Sequence, residues 1–281
     1  MTRSGSRRER LEPIAAKVPE ITVTFWVLKL ISTGMGEAMS DFMGQNSVPI
    51  AAAVGIFGLW FALWLQLRSP EYRAGTYWFT VMMVAIFGTM AADGVHDGAS
   101  LPYAVTTPLY AGLVGGVFYF WYRSEGTLSI HSITTRRREQ YYWAAVLATF
   151  ALGTAAGDLT ATSLNLGFFG SAVLFAVLIA IPAIGWARFN LNPIVAFWGA
   201  YILTRPLGAS FADAFSKPTG GGLGVGDGTV SAIALAVFIV LVTYVAAGKR
   251  DIQRPTLRQE PLEAHGAQPL GGLLVQAERA D

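Results

Sequence analysis

One spacing recurs four times along the chain and restricts its fold more than any other feature. Trp26, Trp78, Trp143 and Trp198 are each followed ten residues later by a glycine, namely Gly36, Gly88, Gly153 and Gly208. Five residues after each glycine comes an aspartate: Asp41, Asp93, Asp158 and Asp213. The pattern W-x9-G-x4-D thus repeats without a gap. An aromatic residue precedes each Trp (Phe25, Tyr77, Tyr142, Phe197) and a small residue precedes each Asp (Ser40, Ala92, Gly157, Ala212). With only 8 Trp in 281 residues, chance does not produce this. A motif of constant internal spacing that recurs every 52–65 residues means one supersecondary unit used in tandem.

What surrounds the pattern is suited to a bilayer. Charged residues make up 14% of the chain, against about a quarter in soluble domains. Eight apolar stretches recur, roughly at 20–42, 49–67, 76–95, 102–122, 140–161, 166–187, 193–214 and 229–247. Each approaches the ~20 residues that a helix needs to cross hydrocarbon. Backbone polar groups find no water there, so only helices or a closed barrel can span. These runs are too long and too continuously apolar for barrel strands, which alternate over about ten residues. The expected fold is an all-α membrane protein: eight transmembrane helices arranged as four parallel two-helix repeats with a pseudo-fourfold arrangement. The repeats fall at about 18–68, 71–123, 136–187 and 189–247, within a single transmembrane domain, 18–247. Ser47-Val48-Pro49 and Ser100-Leu101-Pro102 supply N-cap and first-turn chemistry for the second helix of the first two units. Each unit crosses twice, so all four enter from the same side, as parallel rather than inverted repeats. The helices carrying the Trp–Gly–Asp pattern have the more polar faces and are expected nearer the common axis.

The tails have a different composition. Residues 1–17 are basic and residues 248–281 are charged and carry Gly and Pro, which predicts disorder for both. The basic start has no apolar core or small-residue cleavage site, so a cleaved signal peptide is not expected. Of the 20 Lys and Arg, 17 lie in the tails and the loops on the tail side, and only Lys217 lies in the opposite loops. Lys29 and Arg205 fall inside spans. The positive-inside rule then places both termini in the cytoplasm. Arg136-Arg137-Arg138 reads as part of this signal and as a contact for anionic lipid.

The opening stretch KVPEITVTFWVLKLISTGMGEAMSDF and the recurring Trp in tandem two-helix units resemble the DUF347 repeat family of bacterial membrane proteins. The likeness covers residues 17 to about 247. It implies four repeats and a location in the bacterial inner membrane. It implies no activity, and no site residue is transferred from it.

Candidate chemistry comes from the faces that end at each Asp, because residues four apart are neighbours on a helix. In the first unit this face reads Lys29, Thr33, Glu37, Asp41; in the fourth it reads Tyr201, Arg205, Ala209, Asp213. The middle units place Thr89 and Thr154 before Asp93 and Asp158. A charge at the centre of a span costs about 2.5–3.5 kcal/mol on insertion scales, so these groups should face the interior and pair. Lys29, Thr33, Glu37, Asp41, Asp93, Asp158, Arg205 and Asp213 are therefore the candidate ion-pathway residues. Glu37 and Arg205 differ by about 6 Å in height if their helices are parallel, which an Arg side chain can span. Lys29 lies about 12 Å below Glu37 and is left to face a path or another acceptor. Pro206 removes a helical N–H beside Arg205 and is expected to kink or break the helix.

Architectural readings exist for the repeated residues: the Asp as holders of loop N–H groups, the Gly as close-packing points, and the Trp as interfacial anchors. Asp93, His96 and Asp97 form a second candidate, a small metal site of imidazole and carboxylates. The glycine-rich segment 220–228 lacks the Lys-Ser/Thr ending of a phosphate loop and reads as a flexible outer loop.

With Cys absent, thiolate chemistry is excluded, and the 3 His form no metal motif. No nucleophile–base pair or soluble catalytic domain speaks for an enzyme, and neither a cofactor nor a nucleic-acid partner is expected. The expected partners are the lipid bilayer and a small ion, and a homo-oligomer is compatible with the sequence. The leading functional expectation is a transporter or permease of a small ion. The excess of carboxylates over cations favours a cation, either a divalent metal or a proton. The alternative is a membrane-embedded sensor, structural protein or enzyme with no transport role.

Overall fold

Each repeat folds as two consecutive helices in the computed structural model, which describes residues 16–249 and 251–253. The helices are α1 (Val23–Asn46), α2 (Val48–Arg68), α3 (Ala74–Gly98), α4 (Tyr103–Glu125), α5 (Arg136–Asp158), α6 (Gly167–Phe189), α7 (Pro193–Ser216) and α8 (Asp227–Gly248). A 3-10 turn, Ile130–Ser132, precedes α5, and a π-helical turn, Leu159–Ser163, follows it. The described residues contain no strand. Local chemistry sets the ends. Side chains of Thr22, Thr135 and Asn192 cap α1, α5 and α7 by accepting from the N–H groups of Phe25, Arg138 and Ile194. Gly126 and Asn190 end α4 and α6 in the left-handed conformation.

Six helices (α2, α3, α4, α5 with its π turn, α6 and α8) are long and apolar enough to cross a membrane. They mark a multi-pass membrane protein. The other two, α1 and α7, carry Lys29, Glu37 and Asp41, and Arg205 and Asp213, within their length.

The odd-numbered helices form the interior. α1 packs on α3, α3 on α5, α5 on α7, and α7 returns to α1. The even-numbered helices lie outside this ring. Only 17–28% of each even-numbered span is buried, against 56% of α3 and 67% of α5. Large apolar side chains such as Phe57, Trp60, Val177, Ile181 and Val240 consequently face outward. Each even-numbered helix packs mainly on the odd-numbered helix of the next unit rather than on its own partner: α2 on α3, α4 on α5, α6 on α7, and α8 on α1. The units therefore interlock.

The repeat glycines make the ring close. A Cβ on Gly36 would meet Ala85, on Gly88 it would meet Phe150, on Gly153 it would meet Arg205, and on Gly208 it would meet Thr33. In every case the contacted residue lies three positions before the glycine of the next unit, and the fourth contact returns to the first helix. Close approach of helix backbones at small residues is how helices pack without a hydrophobic drive between them.

Several expectations change. The repeat Trp are not interfacial anchors. Trp78, Trp143 and Trp198 are buried in an aromatic cluster with Phe25, Tyr77, Tyr142 and Tyr201, and Trp26 is half-buried beside Phe197. The odd-numbered helices enclose Trp78, Trp143 and Trp198 inside the ring. Trp60, Trp64 and Trp186 on even-numbered helices face outward instead, with Arg68 over the Trp64 ring at 4.3 Å. Pro206 does not break α7, which runs through it as one helix. The segment after α7 is not a loose loop. Positive φ at Gly220, Gly221, Gly224 and Gly226 folds it back onto the end of the helix. There the N–H groups of Leu223, Val225 and Gly226 donate to the carbonyls of Ala214, Phe215 and Ser216, which the helix itself leaves unpaired.

The tails also begin later than expected. Lys17 is buried, its Nζ 2.6 Å from Glu139 Oε2, and Gln66 donates to the other Glu139 oxygen at 2.8 Å. Asp251 accepts from the N–H of Glu20 at 2.7 Å and from the Tyr72 hydroxyl, while Gln253 donates to the Pro19 carbonyl at 3.1 Å. The segments flanking the helical domain thus hold each other. The remaining tail expectations, for 1–15 and 254–281, lie outside the described residues.

Candidate functional site

Moving along the ring from the Trp end to the Asp end, the interior changes from aromatic to ionic to acidic. At the Trp end the hydroxyls of Tyr77 and Tyr142 meet at 2.5 Å amid the aromatic cluster. Above them Lys29 is fully enclosed. Its Nζ lies 3.9 Å from the Phe150 ring centroid and 4.3 Å from that of Tyr201, with no hydrogen-bond partner among the described residues. Two ring faces are its neighbours, in the geometry of a cation–π contact. Thr33 is spent on backbone, donating to the carbonyls of Leu30 and Thr204.

All four inner helices converge at the next level. Arg205 Nη2 lies 2.5 Å from Glu37 Oε2, with side-chain exposures of 0% and 4%. The same Nη2 donates to Thr89 and, at 2.7 Å, to Thr154, while Thr89 donates to Glu37 Oε2 at 3.1 Å. The pairing of Glu37 with Arg205 expected from helix heights is therefore present. Sequence reasoning placed Thr89 and Thr154 on the right faces but did not assign them to the pair. Their signal was available: they occupy, in units two and three, the position of Glu37 in unit one. Among the described residues Arg205 Nε and Nη1 are buried without hydrogen-bond partners, so the guanidinium depends on this one cluster of oxygens. Hydrogen bonds to charged groups contribute about 1.5–3 kcal/mol each. Thr154→Val keeps the shape and removes one acceptor, so it should lower stability by about that amount. Thermal denaturation in detergent, compared with Thr162→Val on the exposed π turn, measures it.

Beyond the ion pair a cavity of about 880 Å³ opens toward the Asp end. Asp41, Asp93, Asp158 and Asp213 all line it, together with Glu37, Asp97 and one cation, Lys217. The tandem unit thus delivers one carboxylate from each inner helix to a common space. Among the described residues no backbone N–H donates to these four carboxylates, which removes the loop-holding reading. Lys29, Thr33 and Arg205 do not line the cavity, so it ends at Glu37. Lys217, at the end of α7, pairs with Asp41 and lies 3.2 Å from Asp227 Oδ2. Burial disfavours its ammonium, but Asp41, Asp213 and Asp227 outweigh that and hold its pKa above the ordinary lysine value.

A family model described as Repeat of Unknown Function (DUF347) matches residues 76–127, 141–191 and 196–251. The chain belongs to the DUF347 repeat family. The three matched stretches of this DUF347 protein are the second, third and fourth units, each containing its own Trp, Gly and Asp. Searches of curated proteins and of solved structures each returned no match.

The second metal candidate of this DUF347 protein does not assemble. His96 Nδ1–H donates to the Leu101 carbonyl at 2.6 Å, and its ring stacks on Tyr103 at 3.8 Å. Its other nitrogen is 3.9 Å from Asp97, whose side chain is 80% exposed. The ring closes the α3–α4 turn rather than facing Asp93. Among the described residues, the carboxylates that approach within metal-binding distance of one another are Glu37, Asp41 and Asp213. Their oxygens lie within 4.8 Å of one another. Sequence reasoning singled out each of these residues for an ion pathway but not as a set, because the set joins α1 to α7 across the closing contact of the ring.

Proposed function

We propose that this protein is a permease for small cations, with all eight helices crossing the bacterial inner membrane in pseudo-fourfold arrangement. Both termini are cytoplasmic in this reading and the acidic cavity opens outward. The inner position of α1 and α7 supports eight crossings. Their charges are shielded from lipid by neighbouring helices, and 24 residues make each about 36 Å long. The observation that carries the reading is the convergence of Glu37 and all four repeat Asp on one cavity. Carboxylates in a low-dielectric cleft focus negative potential and raise the local cation concentration. The Glu37–Arg205 pair forms the floor, so passage requires that pair to part. The closed floor also favours a second reading, a membrane-embedded cation sensor that binds without transport.

Cation influx into reconstituted vesicles carrying a trapped fluorescent indicator separates the two. The permease reading expects protein-dependent influx of a monovalent or divalent cation or of protons. Asp93→Asn with Asp158→Asn should reduce it by about tenfold or more. Vesicles that admit none of these ions would refute the permease and favour the sensor.

A further inference from the structure

We infer that Glu37, Asp41 and Asp213 form a binding site for a hard divalent cation at the floor of the acidic cavity, and that Lys217 is a tethered competitor for it. This rests on reading the cavity as a place where cations enter. Two oxygens bound to one ion lie at most about twice the metal–oxygen distance apart, or about 4–5 Å for Mg²⁺, Mn²⁺ or Ca²⁺. The three carboxylates lie within 4.8 Å of one another, inside the limit of about 4.6–5.2 Å for Ca²⁺, and the shorter bonds of Mg²⁺ and Mn²⁺ need them to close inward slightly. An independent sign comes from Asp213. It is 4% exposed and lines the cavity, and its Oδ1 has no hydrogen-bond partner among the described residues. A buried acceptor without a donor is costly unless something else satisfies it. The donor set is oxygen throughout, with no His or Cys, which suits Mg²⁺, Ca²⁺ or Mn²⁺ rather than softer metals.

Lys217 supplies the competing charge. Its ammonium sits on Asp41, one of the three proposed ligands, and among the described residues it is the only Lys or Arg side chain lining the cavity. A second acceptor stands ready on the far side. Asp227 Oδ2 is 3.2 Å from Lys217 Nζ, and Asp227 Oδ1 is buried without a hydrogen-bond partner among the described residues. Gln45, which donates to Asp227 at 2.6 Å, fixes that acceptor in place. When a divalent ion takes Asp41, Lys217 shifts its full contact to Asp227 and the carboxylates stay neutralised. Glu37 enters with one oxygen already held, because Arg205 and Thr89 both engage Oε2.

The test is Mn²⁺ binding to the purified full chain in detergent, read by loss of the free-ion electron paramagnetic signal. Lys217→Gln should tighten binding by about tenfold by removing the competitor. Asp213→Asn and Asp41→Asn should each weaken it by about tenfold or more. Glu71→Gln, an exposed acid outside the cavity, should change it less than about twofold. Melting curves without metal establish that each variant is folded, and the two Asn variants act as independent checks if one is not. Wild-type affinity in a folded Asp213→Asn or Asp41→Asn variant overturns the site, as does absence of Mn²⁺ binding in both wild type and Lys217→Gln. Unchanged or weaker binding in Lys217→Gln overturns the competition. Binding without flux of any ion refutes the permease and leaves the site. Flux that persists in an Asp213→Asn variant of wild-type Mn²⁺ affinity refutes the site and leaves the permease.

Discussion

Glu37→Gln is expected to destabilise the protein by about 3–5 kcal/mol, the cost of stranding a buried charge. The magnitude follows from how completely Arg205 depends on this partner. The guanidinium is fully buried, and among the described residues its Nη2 makes all its hydrogen bonds and Glu37 is the one anion it touches. Thr89 and Thr154 remain after the substitution but carry no charge. Glu37→Gln combined with Arg205→Met should recover most of the loss, because removing both members of a buried pair is often neutral or better. Thermal denaturation of the single and double variants measures both effects. A double variant that folds yet fails in cation influx would tie the pair's charge to ion movement. One that folds and works fully would make the pair structural.

The second large effect is expected at the ring contacts. On Gly36 a Cβ would lie 2.9 Å from the backbone carbon and 3.1 Å from the Cα of Ala85. Backbone cannot rotate away, so α1 and α3 must separate. Overpacking of this kind costs about 1–3 kcal/mol, occasionally more. Because α1 touches both α3 and α7, a shift there loosens the Glu37–Arg205 pair as well. Gly36→Ala should therefore lower the melting temperature clearly. Gly112→Ala on the outer face of α4, where an added Cβ meets nothing within 4 Å, should change stability by less than about 1 kcal/mol. Equal effects at the two sites would remove the close-packing role assigned to the repeat glycines.

These contacts also mark what was and was not legible in the sequence. The helices, the face each presents inward and the meeting of Glu37 with Arg205 follow from spacing, because helical periodicity fixes side-chain direction and height. Neighbour choice does not follow from spacing. Nothing in the order of segments says that α2 packs on α3 rather than on α1, or that α7 closes onto α1 through Gly208 and Thr33. That closure is what brings Asp213 to Glu37 and Asp41. Burial of the Trp was missed for a related reason: a Trp near the end of a span reads as an anchor unless its helix is known to be internal. Composition misread the Gly-rich segment and Lys17. Glycine marks conformational freedom, but in residues 220–226 the freedom is used to reach specific carbonyls. A lysine in a basic stretch reads as solvated until its carboxylate, Glu139, is found 122 positions away.

In the proposed permease a water-filled acidic vestibule opens opposite the termini and is sealed at Glu37 and Arg205. Because the chain contains 0 Cys, each introduced cysteine is its only thiol. Gly44 and Gly94 both line the cavity and have room for a side chain, while Thr33 lies beyond the seal and is fully buried. A membrane-impermeant maleimide added outside intact cells should label Gly44→Cys and Gly94→Cys and leave Thr33→Cys unlabelled. Labelling of Thr33→Cys from outside, or failure to label both Gly44→Cys and Gly94→Cys until the cells are opened, would contradict it.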